Sequence, residues 1–478
     1  MFLRYFYNEK LAHASYMFGC QAVGEAIVVD PSRDVEPYLK VAKAEGLKIV
    51  GTLETHLHAD FVSGAREMAD RVNSTLYISG EGGEGWRHEY VGDLNHRFLK
   101  DGETFKIGNL TIQAMHTPGH TPDSMSFILT DGAAADRPIG IFTGDFVFVG
   151  DVGRPDLGDR AVGLVGTADM LARLQYKSLQ RFKELPDYLQ VWPAHGAGSA
   201  CGKALGAIPS STVGYERLFN PALSYTDEDA FVEFLLDGQP EPPKYFSRMN
   251  PTNKKGPALM KDVRKPEANL SYQALLDAKA ENGAMLVDTR SADQFSKGHI
   301  PGTINIPLNK SFTNWAGWLV DYERPLYLLI GQGRVDEAAL DLYSIGIDNY
   351  AGYAELAALQ QYEENGGALQ TYQTTRPSEI AEKVLNGEVH VVDVRNDSER
   401  KEGYIPSSQH IMLGYLSDRY MEIPTDKPIL VQCRSGARSA IAASILQAKG
   451  ITNVINLLGG YDEWSKQGLP KEVMTAVV

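Results

Sequence analysis

The chain has 478 residues, of which 43% are hydrophobic and 22% charged, with a formal net charge of −15. At about 100–200 residues per domain, this length suggests roughly three soluble globular domains. The acidic balance disfavours nucleic acid and anionic membranes as partners, and no apolar run approaches the roughly 20 residues that span a bilayer.

Only three cysteines occur, Cys20, Cys201 and Cys433. Such scarcity fits a reducing cytoplasm, the expected location, and thiols with individual tasks. Met1-Phe2-Leu3-Arg4-Tyr5-Phe6-Tyr7 reads as an opening strand without signal-peptide organisation. Apolar strands follow over Glu25–Asp30 and Lys48–Glu54, alternating with amphipathic helical stretches. The second of these strands runs into Thr55-His56-Leu57-His58-Ala59-Asp60-Phe61-Val62-Ser63-Gly64. Two histidines and an aspartate within five positions at a strand end suit zinc, iron or manganese. Phe61, the next residue, cannot ligate a metal.

Further strands are expected over Leu110–Met115, Met125–Leu129 and Ile139–Thr143. The first leads into His116-Thr117-Pro118-Gly119-His120-Thr121-Pro122, where Gly and Pro fix a tight turn that can aim a side chain. The third ends at Phe142-Thr143-Gly144-Asp145, and Val191-Trp192-Pro193-Ala194-His195-Gly196 repeats the form. A strand followed by a loop bearing His or Asp is how an α/β fold gathers ligands at one sheet edge. Between them, Gly150–Leu157 carries Arg154 and Asp156. Arg154 is read either as an anion anchor or as an ion pair with Asp156. Cys20 is read as packed core, and Cys201, in a Gly-rich loop, either as a persulfidated or regulatory thiol or as an inert small residue. His13, His88 and His96 belong to no motif. Gly238–Pro257, rich in Pro, Lys and Asn, reads as a linker or wrapping arm.

An internal repeat occupies the remainder. Val287-Asp288-Thr289-Arg290 is followed by Gly298-His299-Ile300-Pro301, and Val392-Asp393-Val394-Arg395 at the same interval by Gly403-Tyr404-Ile405-Pro406. Each copy then offers a buried strand, Leu326–Ile330 or Ile429–Gln432, then a Gly-containing loop and an amphipathic helix. This alternation predicts a small parallel sheet in each copy. The second loop is Cys433-Arg434-Ser435-Gly436-Ala437-Arg438-Ser439. A cysteine there meets inward backbone N–H groups, a helix N-terminus and two arginines, all of which favour thiolate. Phosphatase loops of the Cys-x5-Arg kind share this logic, but the spacing here is x4. The first copy has Ile330 where Cys433 stands, and its loop, Gly331-Gln332-Gly333-Arg334, offers no nucleophile.

The metal motifs across residues 1–262 resemble the metallo-β-lactamase superfamily, and within it the persulfide dioxygenase branch. The Cys loop, with Asp393-x-Arg395 upstream and Leu458-Gly459-Gly460-Tyr461 downstream, resembles rhodanese sulfurtransferases. The resemblance implies an α/β chain: a metallo-β-lactamase αββα sandwich (1–262), an inactive rhodanese-like domain (263–370) and an active one (371–478). It implies that His56, His120 and Asp145 bind one Fe(II) per chain, with zinc possible as isolated. His58, Asp60 and His195, ligands in two-metal relatives, would orient ligands or water. Cys433, Arg434 and Arg438 would carry sulfur transfer, while Arg154 and Cys201 are candidates to contact substrate.

On this reading a thiol persulfide and O₂ give sulfite, and Cys433 exchanges sulfane sulfur between persulfide and sulfite or thiosulfate. A homo-oligomer, dimer or tetramer, is the expected assembly. Competing readings are a metal-dependent thioester hydrolase of the glyoxalase II kind with a sulfurtransferase attached, and a sulfur-sensing scaffold.

Overall fold

The computed structural model describes residues 1–160 and 166–473. They fall into two compact units, Met1–Val263 with Tyr343–Gly346, and Arg264–Leu342 with Ile347–Val478.

The first unit contains two six-stranded sheets. In one, Phe2–Asn8, His13–Cys20 and Glu25–Val29 pair antiparallel, and Lys48–Leu53, Thr75–Ser79 and His96–Leu99 extend it in parallel. Parallel neighbours need long crossovers, and helices Glu36–Ala44 and Ala65–Val72 supply two of them. The other sheet runs Thr104–Ile107, Leu110–His116, Met125–Asp131, Gly140–Gly144, Gln190–Pro193, Ser211–Thr212. It is antiparallel except between Gly140–Gly144 and Gln190–Pro193, which helix Ala168–Lys183 joins.

Side chains alternate across a strand, and here each face meets a different layer. Along His13–Cys20, Ala14, Tyr16, Phe18 and Cys20 enter the space between the sheets with Phe127, Phe142 and Trp192. Met17 points the other way, to Tyr38 and Met68 on the outer helices. The second sheet does likewise, burying Ile141 and Val191 against Leu179 and Phe182. Two-sided burial explains why these strands read as continuous apolar runs, and the result is an αββα sandwich. The C-terminal ends of Leu110–His116, Gly140–Gly144 and Gln190–Pro193 lie at one end of their sheet, where the motif loops begin.

Gly238–Pro257 is a correction. Phe246–Lys255 is a helix whose Phe246 and Met249 are buried. Few apolar residues and an internal Pro251 hid it. Its buried Asn250 and Asn253 make hydrogen bonds to the metal loop that no hydropathy pattern reports.

The second unit holds two parallel sheets. Their strand orders are Ile304–Asn305, Met285–Asp288, Leu326–Ile330, Tyr350–Glu355, and Gln373–Thr375, Val454–Leu457, Ile429–Gln432, His390–Asp393, Gln409–His410. The two copies share a core: Phe295, Ile304 and Trp315 pack with Val392, Leu413 and Ile441. Among the described residues no helix is long and apolar enough to cross a membrane.

Phe127, wholly buried between the first unit's sheets, gives a direct test of that core. Phe127→Ala is expected to destabilise the unit by about 3–5 kcal/mol, read as a lower midpoint in chemical denaturation.

Candidate metal centre and sulfur site

His56, His120 and Asp145 come together from three strand ends, all buried, with one donor atom of each within 4.8 Å of the others. Their outward atoms are already committed. Thr55 Oγ1 gives its proton to Asp30 Oδ2 at 2.8 Å, so at 3.0 Å from His56 Nδ1 it can only accept. His120 Nδ1 lies 2.9 Å from the Arg154 carbonyl, which also only accepts. Both rings therefore carry their protons on Nδ1, and both Nε2 lone pairs are free for a metal. They face Asp145 Oδ2 at 4.0 and 3.5 Å. His56 Nε2 and Asp145 Oδ2 are buried without hydrogen-bond partners, a rare condition. Two imidazole nitrogens and a carboxylate oxygen converging in this way fit a divalent transition metal.

The other oxygen of Asp145 accepts from His195 Nδ1 at 2.7 Å, and His195 Nε2 donates to Asp60 Oδ2 at 2.8 Å. Both partners are acceptors, so the ring is an imidazolium. Burial alone would lower its pKa, but Asp145 and Asp60 drive it well above the ordinary histidine value. For Asp145, burial favours the neutral acid, and His195 overrides it to hold the pKa well below the carboxylate range. His195 therefore touches a ligand and has no lone pair of its own for a metal. His58 Nε2 lies 3.2 Å from Asp30 Oδ1. Phe61 packs at a tilt against His58 at 4.4 Å and against His13 at 3.9 Å between ring centroids. The phenyl ring thus fills the ground beside the three-donor set, and His13, which no motif marked, is part of that wall.

The loop carrying these residues is held by its backbone. Leu57 N donates to Asp123 Oδ2 at 2.8 Å, and Asn253 Nδ2 donates to the carbonyls of His58 and Phe61 at 2.9 and 2.8 Å. Asn253 Oδ1 accepts from Ser63 N at 2.9 Å, and Asn250 Nδ2 donates to the Leu57 carbonyl at 3.3 Å. Asp30, Asp123, Asn250 and Asn253 were missed because each serves a loop distant in sequence.

Of the two readings of Arg154, the structure shows the ion pair. Its guanidinium is fully buried, fork-bonded to Asp156 at 2.7 Å twice, and donates to the Ala200 and Pro240 carbonyls. The proposed anion-anchoring role is corrected accordingly, because those donors are engaged and shielded from water. Cys201 lies beside Asp60 and His195, buried. Burial first, then Asp145 and Asp60, push its thiol well up, so it stands there as a thiol. Cys20 is core, as expected.

In the second unit Cys433 follows strand Ile429–Gln432 and is 1% exposed. Gly436 N donates to its sulfur at 3.1 Å, and Ser439 Oγ, whose proton goes to Asn456 Oδ1 at 2.6 Å, lies 3.5 Å from it. Gly436 has φ +98°, which only glycine adopts without strain, so the turn that aims this N–H depends on it. The arginines diverge. Arg438 is largely buried and fork-bonded to Glu399, with both contacts at 2.6 Å, and it also interacts with the Cys433 sulfur. Arg434 is 68% exposed and lies 3.3 Å from Asp462, so its expected place in the cradle is corrected: its side chain is turned to solvent. His299 is buried, its Nδ1 2.9 Å from the Phe295 carbonyl, in keeping with a structural role.

Fold and site together define a metal-binding αββα domain followed by two small α/β domains, the second with a thiol loop. The chain belongs to the metallo-β-lactamase superfamily, and carries two rhodanese-like domains behind that module. The metallo-beta-lactamase superfamily model matches residues 10–195, and the rhodanese-like domain model matches 271–359 and 376–467. A crystal structure named as a metallo-beta-lactamase from Staphylococcus aureus is 41% identical, covering 74% of this chain and 99% of that one, with a TM-score of 0.67. The human mitochondrial persulfide dioxygenase ETHE1 is 26% identical over 239 residues, 49% of this chain and 80% of its own length. A probable metallo-hydrolase of Burkholderia pseudomallei is 29% identical over 217 residues, 40% of this chain and 70% of its own.

Two outcomes follow from the geometry. His195→Ala removes the group that orients Asp145 and is expected to weaken metal binding about 10–100-fold, read by chelator competition. His58, which burial would make less basic, is raised by Asp30 to about 9 from an ordinary 6.5. Because its folded value is raised, its contribution to stability is complete below pH 6.5 and is lost as pH rises through about 9. The metal-free protein should therefore lose melting temperature across that window, and His58→Gln should lose less.

Proposed function

We propose that the chain is a non-haem iron persulfide dioxygenase joined to a rhodanese-type sulfurtransferase. The observation that carries this reading is the set of two imidazoles and one carboxylate, which differs in composition from the two other buried three-donor groups, Asp60–His195–Cys201 and Asp30–Glu54–His58. His56, His120 and Asp145 face one point, while Phe61 fills the adjoining ground and His195 is given over to two carboxylates. Two imidazoles and one carboxylate leave open positions on a metal for substrate and O₂, the arrangement of non-haem iron oxygenases. The likeness to a relative named as a persulfide dioxygenase supports the same reading. One Fe(II) held by His56, His120 and Asp145 would supply the one-electron steps that speed the otherwise slow reaction of O₂ with a sulfur anion. The residues around it fix two ring tautomers, keep Asp145 ionised and wall the site with Phe61 and His13.

That step takes a low-molecular-weight thiol persulfide, O₂ and one water to sulfite and the parent thiol, the outer sulfur losing four electrons to O₂ and the third sulfite oxygen coming from the water. At the second site the Cys433 thiolate attacks the outer sulfur of a persulfide RS–SH. The Sγ–S bond forms as the RS–S bond breaks, and the thiol RSH departs with the proton. Sulfite then takes the sulfane sulfur, giving thiosulfate and returning the thiolate. The same residues serve the reverse direction, and a homo-oligomer is part of the proposal.

Oxygen uptake by iron-loaded protein on adding glutathione persulfide or coenzyme A persulfide is the deciding measurement. Rapid, iron-dependent uptake is expected. No uptake with either, together with turnover of a thioester, would transfer the assignment to the hydrolase reading. Asp145→Ala should abolish uptake while sulfur transfer survives, and Cys433→Ser should stop thiosulfate formation while sulfite continues to accumulate.

A further inference from the structure

The duplicated domain contains its own control. In each copy an aspartate and an arginine two residues on form the same buried pair: Arg290 on Asp288 and Arg395 on Asp393, each Nη2–Oδ2 contact at 2.7 Å. Each arginine also donates to the carbonyl eight residues after it, Gly298 or Gly403, at 2.8 Å. Four residues after each arginine stands the side chain that closes the capping box of the next helix. In the first copy it is Gln294 behind Ser291, and in the second Glu399 behind Asn396. An amide closes that box in the first copy, so the fold does not require a carboxylate there.

The second copy adds a cysteine loop and Arg438 to this frame. Glu399 Oε2 and Oε1 accept from Arg438 Nη1 and Nη2 at 2.6 Å each, while Oε2 also accepts from Asn396 N at 3.0 Å. In the first copy Arg334 pairs instead with Glu337 of its own helix at 2.9 Å. A charge at the capping position thus accompanies the thiol. A bidentate pair fixes a guanidinium plane as well as its place, and it leaves the Nε proton and one proton on each terminal nitrogen of Arg438 for other acceptors.

We propose that Glu399 is a positioning residue for sulfur transfer, holding Arg438 so that the oxyanion end of thiosulfate or sulfite meets a preset donor beside Cys433. The inference rests on the sulfurtransferase reading of Cys433. When the thiolate attacks the outer sulfur of thiosulfate, the Sγ–S bond forms, the S–S bond breaks and the electron pair leaves on sulfite. Charge therefore gathers on the sulfonate oxygens, which is where a fixed guanidinium stabilises most.

The test is sulfur transfer from thiosulfate to cyanide by the full-length protein. Glu399→Ala is expected to raise KM for thiosulfate by up to about 100-fold, the order that a misplaced positioning group can cost. Glu399→Gln, which keeps one acceptor and the cap seen in the first copy, should fall between. The melting temperature of Glu399→Gln should stay close to wild type, while Glu399→Ala, which loses the cap and leaves Arg438 unpaired, should melt lower without losing the fold. In an Arg438→Met background, Glu399→Ala should change KM less than about twofold, because the two residues act as one unit. An unchanged KM in Glu399→Ala, or an equal loss in the Arg438→Met background, overturns the proposal.

If wild type and Cys433→Ser do not differ in this assay, the sulfurtransferase reading is the one that fails. The positioning role is then decided by alkylation of Cys433, which needs no turnover. The rate ratio of anionic iodoacetate to neutral iodoacetamide should drop in Glu399→Ala and be insensitive to it in Arg438→Met. An unchanged ratio overturns the proposal.

Discussion

An ionised carboxylate shielded from water persists only where opposite charge compensates a burial penalty of several kcal/mol. Asp145 meets that condition through His195, and much of the first unit's site follows. The imidazolium takes one oxygen of Asp145 and leaves the other facing His56 and His120. Its second N–H is matched by Asp60, so a positive ring lies between two negative side chains. A neutral ring could satisfy only one of them as donor. The metal face is therefore shaped by a group that does not belong to it.

Phe61 acts on the same ground from the other side. An aromatic ring between His13 and His58 occupies space with apolar atoms, and His58 turns instead to Asp30. The loop could not present these side chains if its peptide groups were free to rotate. Asp123, Asn250 and Asn253 hold it, the last two from a helix nearly two hundred residues downstream. Buried backbone groups need partners, and here the partners also set the aim of the side chains.

The duplicated α/β domains show how little separates a scaffold from a reactive site. Sheet direction, the Asp–Arg pair and the capping box are common to both copies. One copy ends its central strand at Ile330 and contributes Phe295, Ile304 and Trp315 to the core of the other. The other ends its strand at Cys433, in a loop whose Gly436 N–H points at the sulfur. The difference is a few residues on a frame that folds either way.

Hydrophobic alternation, the strand-then-ligand loops and the repeat were legible in the chain, because each is a local pattern with a fixed period or spacing. The central strands Leu326–Ile330 and Ile429–Gln432 begin and end where the apolar runs do. Local pattern could not separate Arg434 from Arg438: both follow the cysteine, but the loop turns Arg434 to solvent while the first turn of helix Ala437–Ala448 aims Arg438 at Glu399. Nor could it choose between the two readings of Arg154, or find a helix in Gly238–Pro257. By itself the sequence determined which residue types stand at the strand ends, and therefore which chemistry is possible. Only the tertiary structure decided which atoms of those residues are free. That depends on partners such as Thr55, Arg154, Asp60 and Asn253, whose hydrogen bonds close across gaps that no periodicity in the chain records.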